Sequence, residues 1–144
     1  ILNLGIENMT AVWYNLVDNA YTINFVSKIG DTIIYPDMVK IKICAESGRV
    51  IGFESTTYYT NHTDRTIESA SYDFESAKEK VQNKIEIETS RLVVIPFGNE
   101  SEKLCYEFSG KYQDATYYIY IDALDGRQVE SFKVVESTEG TLLI

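Results

Sequence analysis

The sequence predicts an α+β fold built from two tandem repeats, each a short helix packed on a four-stranded antiparallel sheet. Three observations support this prediction: a hairpin motif that occurs twice, apolar residues that alternate with polar ones along most of the chain, and one clear amphipathic helix. We expect the first repeat to span residues 1–62 and the second to span residues 63–144. Most of the first repeat's helix is expected to lie before Ile1.

The hairpin motif is the stretch Val39–Ile51, which returns as Tyr117–Val129. In both copies apolar residues alternate with Lys or Tyr, which is the period of a half-buried strand. Each copy then reaches a polar turn that ends in Gly-Arg, at Gly48 and Gly126. Glycine suits the left-handed position of a three-residue hairpin loop. Because a second strand follows each turn, the motif predicts one β-hairpin in each repeat.

The first repeat is predicted to be mainly strand. Residues 1–5 are typical of the last turn of a helix that ends at Gly5. Val12–Val17 is rich in β-prone residues and predicts a strand, and the alternating stretch Tyr21–Phe25 predicts the next one. Pro36 cannot donate to a strand ladder, so the segment before the first hairpin is expected to be a sheet edge or a bulge.

The second repeat is predicted to begin after a polar linker, residues 60–71. Tyr72–Val81 predicts the one clear helix, in which Asp73 can cap the free N–H groups of the first turn. Arg91–Ile95 is apolar on both faces, which is typical of a buried central strand. The apolar tail, residues 139–144, is expected to be docked. Between Arg91–Ile95 and the tail, a further strand is expected to match the second strand of the first repeat. In this match Leu104, Tyr106 and Phe108 correspond to Tyr21, Ile23 and Phe25.

The amino-acid composition indicates which classes of binding partner suit the chain. The chain carries 22 acidic and 13 basic residues, and the resulting net charge of -9 disfavours binding to nucleic acid or to anionic lipid. A basic, wall-associated or protein partner is more compatible with this charge, and plain solubility is the alternative explanation. The compositional excess is in tyrosine, with 11 residues. Tyrosine is enriched at protein interfaces, but it is also an ordinary strand former.

Residues suited to catalysis are sparse. The single histidine, His62, lies in the polar linker with Asp64 as its acidic neighbour, and we expect a solvated loop residue. Cys44 and Cys105 are far apart and form no C-x-x-C pair, so a zinc site is not expected. Both are expected to be free thiols, with a disulfide left open. The sequence has no phosphate loop and no nucleophile motif, so we expect no enzyme, no cofactor and no metal.

A sheet surface that binds a partner would use the tyrosines near the Tyr-Pro-Asp segment. We predict an interface that includes Tyr35 and Asp37 together with Tyr58 and Tyr59. Aromatic side chains supply contact area at a low cost in conformational entropy. Substitution of these four residues is therefore expected to weaken partner binding without unfolding the domain.

Four segments carry a family resemblance, and they occur in the order Ile34–Lys40, Glu88–Leu92, Leu104–Phe108 and Glu139–Leu142. At these segments the sequence resembles the C-terminal part of the YpeB-type spore germination proteins, and the likeness extends over essentially all of the chain. Those proteins carry tandem PepSY domains, small modules of a helix packed on an antiparallel sheet. Ala77 fits the start of the module's helix only loosely, and the opening helix of the first PepSY-like repeat is cut away.

The resemblance implies a non-enzymatic protein that partners a SleB-type cortex-lytic hydrolase in endospore-forming bacteria. Each protein would be needed for the other to accumulate in the spore, and the hydrolase would be restrained until germination. Full-length family members are anchored by an N-terminal membrane segment, so the chain is expected in the spore, outside the inner spore membrane, with no membrane contact of its own. The interface, the oligomeric state and the release trigger are left open. PepSY domains are also associated with inhibition of secreted peptidases by propeptides, which is the alternative function.

Overall fold

The computed structural model describes residues 5–137 and 140–144, and within them the chain is mostly strand with few helices. The chain divides into two compact units. The first comprises the residues up to Arg65 together with Ser137 and Gly140, and the second comprises Thr66–Glu136 with Thr141–Ile144. The predicted repeat boundary after residue 62 stays a prediction, because a compact unit need not coincide with a repeat.

The first unit is an antiparallel sheet followed by a short helix. Its elements in chain order are β1 (Met9–Val17), β2 (Ala20–Ile29), β3 (Thr32–Cys44), β4 (Val50–Glu54) and α1 (Thr56–Asn61). Each strand pairs with the next one in sequence, and all three pairings are antiparallel. Helix α1 was not predicted, because its Thr and Tyr residues are weak helix formers. It forms where Tyr58 can be buried against the sheet.

The second unit begins with a helix and continues as an antiparallel sheet. Its elements are α2 (Phe74–Gln82), β5 (Glu86–Pro96), β6 (Glu102–Tyr112), β7 (Ala115–Asp122), β8 (Gln128–Ser137) and β9 (Gly140–Leu143). Strands β5 to β8 pair in sequence order, and β9 lies beside β8. The backbone of Ile144 exchanges two hydrogen bonds with Lys133, so the end of the chain joins the sheet, while the Ile144 side chain stays 69% exposed.

The two hairpins that repeat in the sequence fold in the same way. In the β3–β4 turn the Gly48 N–H donates to the Cys44 carbonyl at 2.9 Å, and in the β7–β8 turn the Gly126 N–H donates to the Asp122 carbonyl at 2.9 Å. Both glycines have left-handed backbones, with φ of 68° and 78°. This confirms the role predicted for glycine at the end of each turn.

The flanking strands are repeated as well. The β1–β2 register shifts between Ala11 and Trp13, and the β5–β6 register shifts at the equivalent place, between Ile87 and Thr89. A β-bulge is specific to its position in a ladder, so its repetition argues for duplication of the whole sheet. Three cross-strand pairs of the first unit have equivalents in the second. Leu16–Tyr21 corresponds to Leu92–Tyr106, Tyr14–Ile23 to Ser90–Phe108, and Tyr21–Ile43 to Tyr106–Ile121. The predicted tandem repeat is confirmed.

One predicted correspondence between the repeats is wrong by two residues. Alternation of apolar residues matched Tyr21 to Leu104, but the ladder places Tyr21 opposite Ile43 and Tyr106 opposite Ile121. Because Ile43 and Ile121 are equivalent in the repeated hairpins, Tyr21 corresponds to Tyr106. A pattern with a period of two cannot distinguish a strand from the same strand shifted by two residues.

Helix α2 begins and packs as the sequence predicts. The Asp73 side chain accepts a hydrogen bond from the Ser76 N–H at 2.9 Å, which is the expected N-cap. Ala77 and Val81 are fully buried against the sheet. Half-buried Tyr72 and Phe74 border this contact, and the buried core beneath the helix consists of Ile85, Tyr106, Phe108, Ile119, Ile121 and Ala123.

The first unit has its own small core at one end of the sheet. Ile6, Val39 and Tyr58 form it, and all three are at most 9% exposed. The helical turn predicted at the start of the chain falls on residues 1–4, outside the described residues, while Gly5 has the left-handed φ of 68° expected where a helix ends. Neither helix in the described part of the chain has the length and apolar character needed to cross a membrane.

Candidate functional site

A bulge in β3 places Asp37 in the interior of the first unit. The β2–β3 register shifts between Val26 and Ser27, where β3 carries the extra residues 35–37. Pro36 lies in this bulge and has no N–H to donate, which confirms the prediction of an edge or a bulge at that position. The irregular backbone leaves Asp37 only 1% exposed.

The Asp37 carboxylate binds two basic side chains. Nη1 of Arg65 donates to Oδ1 at 2.9 Å, and Nδ1 of His62 lies 2.6 Å from Oδ2. Arg65 also donates from Nη2 to the Asn61 carbonyl at 2.9 Å. The Asp37 and Arg65 side chains are 2% and 8% exposed, so each buried charge is stabilised by the other. The cluster ties the residues that follow α1 to β3.

His62 is an exposed loop residue, as the sequence predicted, but its ring has partners that the sequence does not reveal. Its side chain is 42% exposed, but its ring stacks on Tyr58 with centroids 4.5 Å apart and planes at 13°. In the sequence only Asp64 lies near His62, because Asp37 is 25 positions away and approaches only in the folded chain. Burial, and then the Asp37 carboxylate, raise the pKa of Tyr58, so this phenol stays neutral beside the histidine.

The four predicted interface residues lie at different depths. Asp37 and Tyr58 are buried, at 1% and 9% exposure. Tyr59 is 63% exposed and contacts the Tyr58 ring edge-to-face at 5.3 Å. Tyr35 is half-buried, with its ring 6.4 Å from that of Trp13. Asp37 and Tyr58 therefore support the surface, while Tyr59 is exposed and Tyr35 is partly accessible beside the exposed Trp13.

A second buried acid, Glu107, lies in the second unit and was not predicted. Its Oε1 accepts from Nε of Arg91 at 2.6 Å, and its Oε2 accepts from the Tyr120 hydroxyl at 2.8 Å. Glu107 is 1% exposed, although it alternates with apolar residues as a solvent-facing acid would. The sequence signal for the burial of Glu107 is the neighbouring strand segment Arg91–Ile95. Its apolar residues on both faces of the strand indicate that the sheet is covered on both sides.

A third ion pair holds the β7–β8 turn of the second unit. Nζ of Lys103 donates to Oδ2 of Asp122 at 2.9 Å, and the Leu124 N–H donates to Oδ1 at 2.8 Å. Burial opposes ionisation of Asp122, but Lys103 and the Leu124 N–H outweigh it and hold the pKa of Asp122 below its usual value. The hydrogen bond to Asp122 correspondingly raises the pKa of Lys103.

Both cysteines are free thiols, as predicted. Cys105 is fully buried, and burial together with the nearby Asp122 carboxylate raises its pKa to about 12. Cys44 is half-buried, and hydrogen bonds from Ser47 and from the turn backbone lower its pKa. A thiol reacts as its thiolate, so Cys44 is the more reactive of the two.

Within the described residues, His62 has one of the two contacts that a catalytic histidine needs. His62 is oriented by a carboxylate, as a general base requires, but its side-chain hydrogen bond within the described residues is to Asp37, and no hydroxyl or thiol is bonded to it. The same part of the chain holds no group of three or more His, Cys, Asp or Glu side chains arranged to bind a metal ion. What the geometry offers is a sheet scaffold with exposed aromatic residues.

Two family models match the chain, one after the other. Residues 1–68 match the model described as "YpeB sporulation, PepSY1 and PepSY2 domains". Residues 71–132 match the model described as "Peptidase propeptide and YPEB domain". Both descriptions point to a non-catalytic domain.

Curated relatives support the same family. The chain is 33% identical over 131 residues to the sporulation protein YpeB of Halalkalibacterium halodurans, covering 91% of the chain and 29% of that protein. It is 29% identical over 140 residues to the sporulation protein YpeB of Oceanobacillus iheyensis, covering 97% of the chain and 30% of that protein. The chain thus spans less than a third of the length of these relatives.

A solved structure has the same fold. The Bacillus megaterium YpeB C-terminal domain matches with a TM-score of 0.81 and 32% sequence identity. The match covers 92% of this chain and 59% of that one. The mostly-sheet fold and its tandem PepSY repeats are therefore shared with a solved relative.

Proposed function

Because the chain belongs to the YpeB family of sporulation proteins, we propose that it is a non-enzymatic binding module of the bacterial spore. Its proposed task is to stabilise a SleB-type cortex-lytic peptidoglycan hydrolase and to restrain that enzyme until germination. The observation that carries the proposal is the pair of family matches, over residues 1–68 and 71–132.

The buried acids support a binding role over a catalytic one. A catalytic carboxyl group must reach its substrate, and its pKa must suit proton transfer. Asp37 and Glu107 are each 1% exposed and are held by internal partners, Arg65 with His62 in one case and Arg91 in the other. These groups are suited to fixing the backbone beneath a surface.

The proposed contact surface includes three aromatic residues that are exposed or partly exposed. Tyr59 is 63% exposed on α1, and the half-buried Tyr35 lies beside Trp13, which is 40% exposed. Tyrosine and tryptophan provide much of the binding energy at protein interfaces. The net charge of -9 favours a partner with a basic contact surface, because opposite charges steer association.

The proposal is tested by binding and by co-stability. The chain is expected to retain the purified cognate hydrolase in a pull-down, and deletion of this region from the whole protein is expected to deplete the hydrolase from spores. Failure of both would refute the proposal. Turnover of peptidoglycan by the chain alone would instead indicate an enzyme.

Two variants on the proposed surface, with one control variant in the second unit, test the position of the surface. Tyr59→Ala and Tyr35→Ala should each weaken hydrolase binding by about tenfold, the cost of a modest interface hot spot. Tyr112→Ala, a tyrosine in the second unit that is 52% exposed, is the control and should bind as the unmodified chain does. Unchanged binding by both Tyr59→Ala and Tyr35→Ala would show that the surface is elsewhere.

A peptidase-inhibitory or propeptide-like function is the second candidate. It is favoured by the description of the family that matches residues 71–132, which includes peptidase propeptides. An inhibition assay against secreted peptidases separates the two functions. Inhibition of a peptidase, with no binding to the hydrolase, would favour this second candidate.

We also propose that the chain acts in the spore, outside the inner spore membrane, held there by an N-terminal segment of the longer protein. The chain spans 29% and 30% of two of its curated relatives, which leaves room for such an anchor. Fractionation of spores tests this location. Recovery of the whole protein from the soluble interior of the spore would exclude it.

A further inference from the structure

Strand β4 lies at an edge of the sheet in the first unit. It pairs with β3, and within the described residues no other strand pairs with it. The outer side of β4 therefore presents backbone groups without a strand partner. Its large side chains are exposed, at 65% for Val50, 58% for Ile51 and 43% for Phe53. An extended segment can add to an edge of this kind.

The equivalent edge in the second unit has different side chains. In the repeated hairpin β8 has three polar residues at this edge: Gln128, Glu130 and Ser131. The residues of β4 in the same ladder positions are Val50, Gly52 and Phe53. Charged and polar side chains on an edge strand discourage pairing with another chain. The first half of β8 thus carries protection against strand addition that β4 lacks.

A lysine of β3 lies beside the outer edge of β4. Lys42 is directly opposite Gly52 in the ladder. A Cβ atom added at Gly52 would lie 3.2 Å from Cβ and 3.8 Å from Cδ of Lys42, so the aliphatic part of the lysine runs alongside the glycine. Lys42 is exposed, and its ammonium group has no ion-pair or hydrogen-bond partner among the described residues. Because Gly52 has no side chain, nothing on it separates this ammonium group from a strand added beyond β4.

The two faces at this edge differ in chemistry. Phe53 lies opposite Ile41, and cross-strand neighbours share a face, so one face is apolar while Lys42 lies on the other. Residues 40–54 carry three basic and two acidic residues, so this hairpin is locally basic in a chain of net charge -9. A strand added here would meet apolar side chains on one face and a cation on the other.

We propose that the outer edge of β4 binds an extended segment of a partner protein in which apolar and acidic residues alternate. Successive side chains of a strand point to opposite faces, so an alternating segment places its apolar side chains beside Phe53 and its carboxylates beside Lys42. A second copy of the chain is disfavoured as the occupant, because two chains of net charge -9 repel each other. The inference requires a partner strand of this pattern and does not rest on the proposed hydrolase.

Synthetic peptides test the proposal. The acidic peptide is acetyl-Thr-Val-Glu-Val-Glu-Val-Thr-amide, and the basic peptide has lysine in place of both glutamates. In NMR titrations of the isotope-labelled chain, the acidic peptide should bind about fivefold more tightly than the basic one, because its carboxylates meet Lys42. It should shift the amide signals of residues 50–54. N-methylation of its valines and glutamates should remove the binding, because the ladder then loses its donors.

Variants of the chain locate the site. Lys42→Glu should weaken binding of the acidic peptide by about fivefold and favour the basic peptide, since the charge at the edge is reversed. The triple variant Val50→Gln, Gly52→Glu and Phe53→Ser gives β4 the polar residues of β8 and should abolish binding. The hairpin is compatible with these residues, because β8 carries them in the same ladder positions. Lys111→Glu, at an exposed lysine in the second unit, is the control and should bind both peptides as the unmodified chain does.

Three results would overturn the proposal. Equal affinity for the acidic and basic peptides would show that Lys42 does not select the segment. Absence of binding by the acidic peptide, or amide shifts away from residues 50–54, would show that the edge of β4 is not the site. A dimer in sedimentation velocity that the triple variant converts into a monomer would assign the edge to a second copy of the chain.

Discussion

Oδ2 of Asp37 lies 2.6 Å from Nδ1 of His62, although 25 positions separate the two residues in the chain. The contact joins the bulge in β3 to the residue at which α1 ends, and the His62 ring completes it by stacking on Tyr58. Arg65 occupies the other carboxylate oxygen. One buried acid therefore determines where the polypeptide leaves the first unit.

The first prediction concerns this acid. Asp37→Asn should destabilise the first unit by about 3 kcal/mol, because it removes a buried negative charge that binds both Arg65 and His62. Urea unfolding measures the loss. Asp64→Asn, at an exposed position two residues after His62, is the control and should change stability by less than about 0.5 kcal/mol. Equal stability of the two variants would contradict the account.

The second prediction concerns the pair Arg91 and Glu107. Arg91→Met removes the guanidinium that donates to the buried Glu107 carboxylate, and Glu107→Leu removes the carboxylate that accepts from it. The double variant should therefore lose less stability than the sum of the single losses, with a coupling of about 1 kcal/mol or more.

The same double-mutant cycle on Lys28 and Asp31 is the control. Their charged atoms lie 3.9 Å apart and both side chains are exposed, so the coupling should be below about 0.5 kcal/mol. Additive losses at Arg91 and Glu107 would show that this pair has no structural role.

The third prediction compares the two turn glycines. Gly48→Ala should cost about 1 kcal/mol, because the site is open and only the left-handed backbone opposes a side chain. Gly126→Ala should cost about twice as much or more, since its methyl group would also overlap the Tyr72 ring. Thermal unfolding of the two variants measures the difference. If Tyr72→Leu in the Gly126→Ala background recovers no stability, the steric explanation is wrong.

The fourth prediction concerns pH and Asp122. Its pKa is lowered in the folded state, so its ionised form contributes stability above the unfolded pKa of about 4, and this contribution is lost as pH falls through the folded value. Asp122→Asn should therefore be less stable than the unmodified chain at pH 7. The difference should shrink as the pH is lowered below about 4 in urea titrations. A difference that stays constant down to pH 2 would contradict the linkage.

The fifth prediction concerns thiol reactivity. Iodoacetamide at pH 8 should modify Cys44 in the folded chain and leave Cys105 unmodified, because burial raises the pKa of Cys105 to about 12 and also blocks access. Mass spectrometry of peptides identifies the labelled residue. In denaturant both thiols should react at similar rates, which serves as the internal control. Rapid labelling of Cys105 in the folded chain would show that the second unit opens.

The sequence was sufficient for features that depend on neighbouring residues. Gly48 and Gly126 predicted the repeated hairpins, Asp73 predicted the helix cap, and Pro36 predicted the bulge. Each of these follows from backbone chemistry within a few residues. The family also followed from short ordered segments, and the relatives agree with it.

The missed features all depend on contacts between distant residues. The pairing of His62 with Asp37 and of Arg91 with Glu107 requires the sheet to be assembled first. Helix α1 exists because Tyr58 finds a core position, which local helix propensity does not reveal. The error in matching Tyr21 had a similar cause, because only its cross-strand partner identifies its register.

The two copies of the sheet have equivalent bulges, so the places in which the copies differ are the parts of the module that have been free to change. The β1–β2 connection is the tight pair Asp18 and Asn19, whereas the β5–β6 connection extends over residues 97–101. The ladders on either side nevertheless keep their pairing. Divergence since the duplication has therefore been absorbed by the connecting loops, and a peptide tag inserted between Phe97 and Ser101 should be accommodated where one inserted into a strand would not.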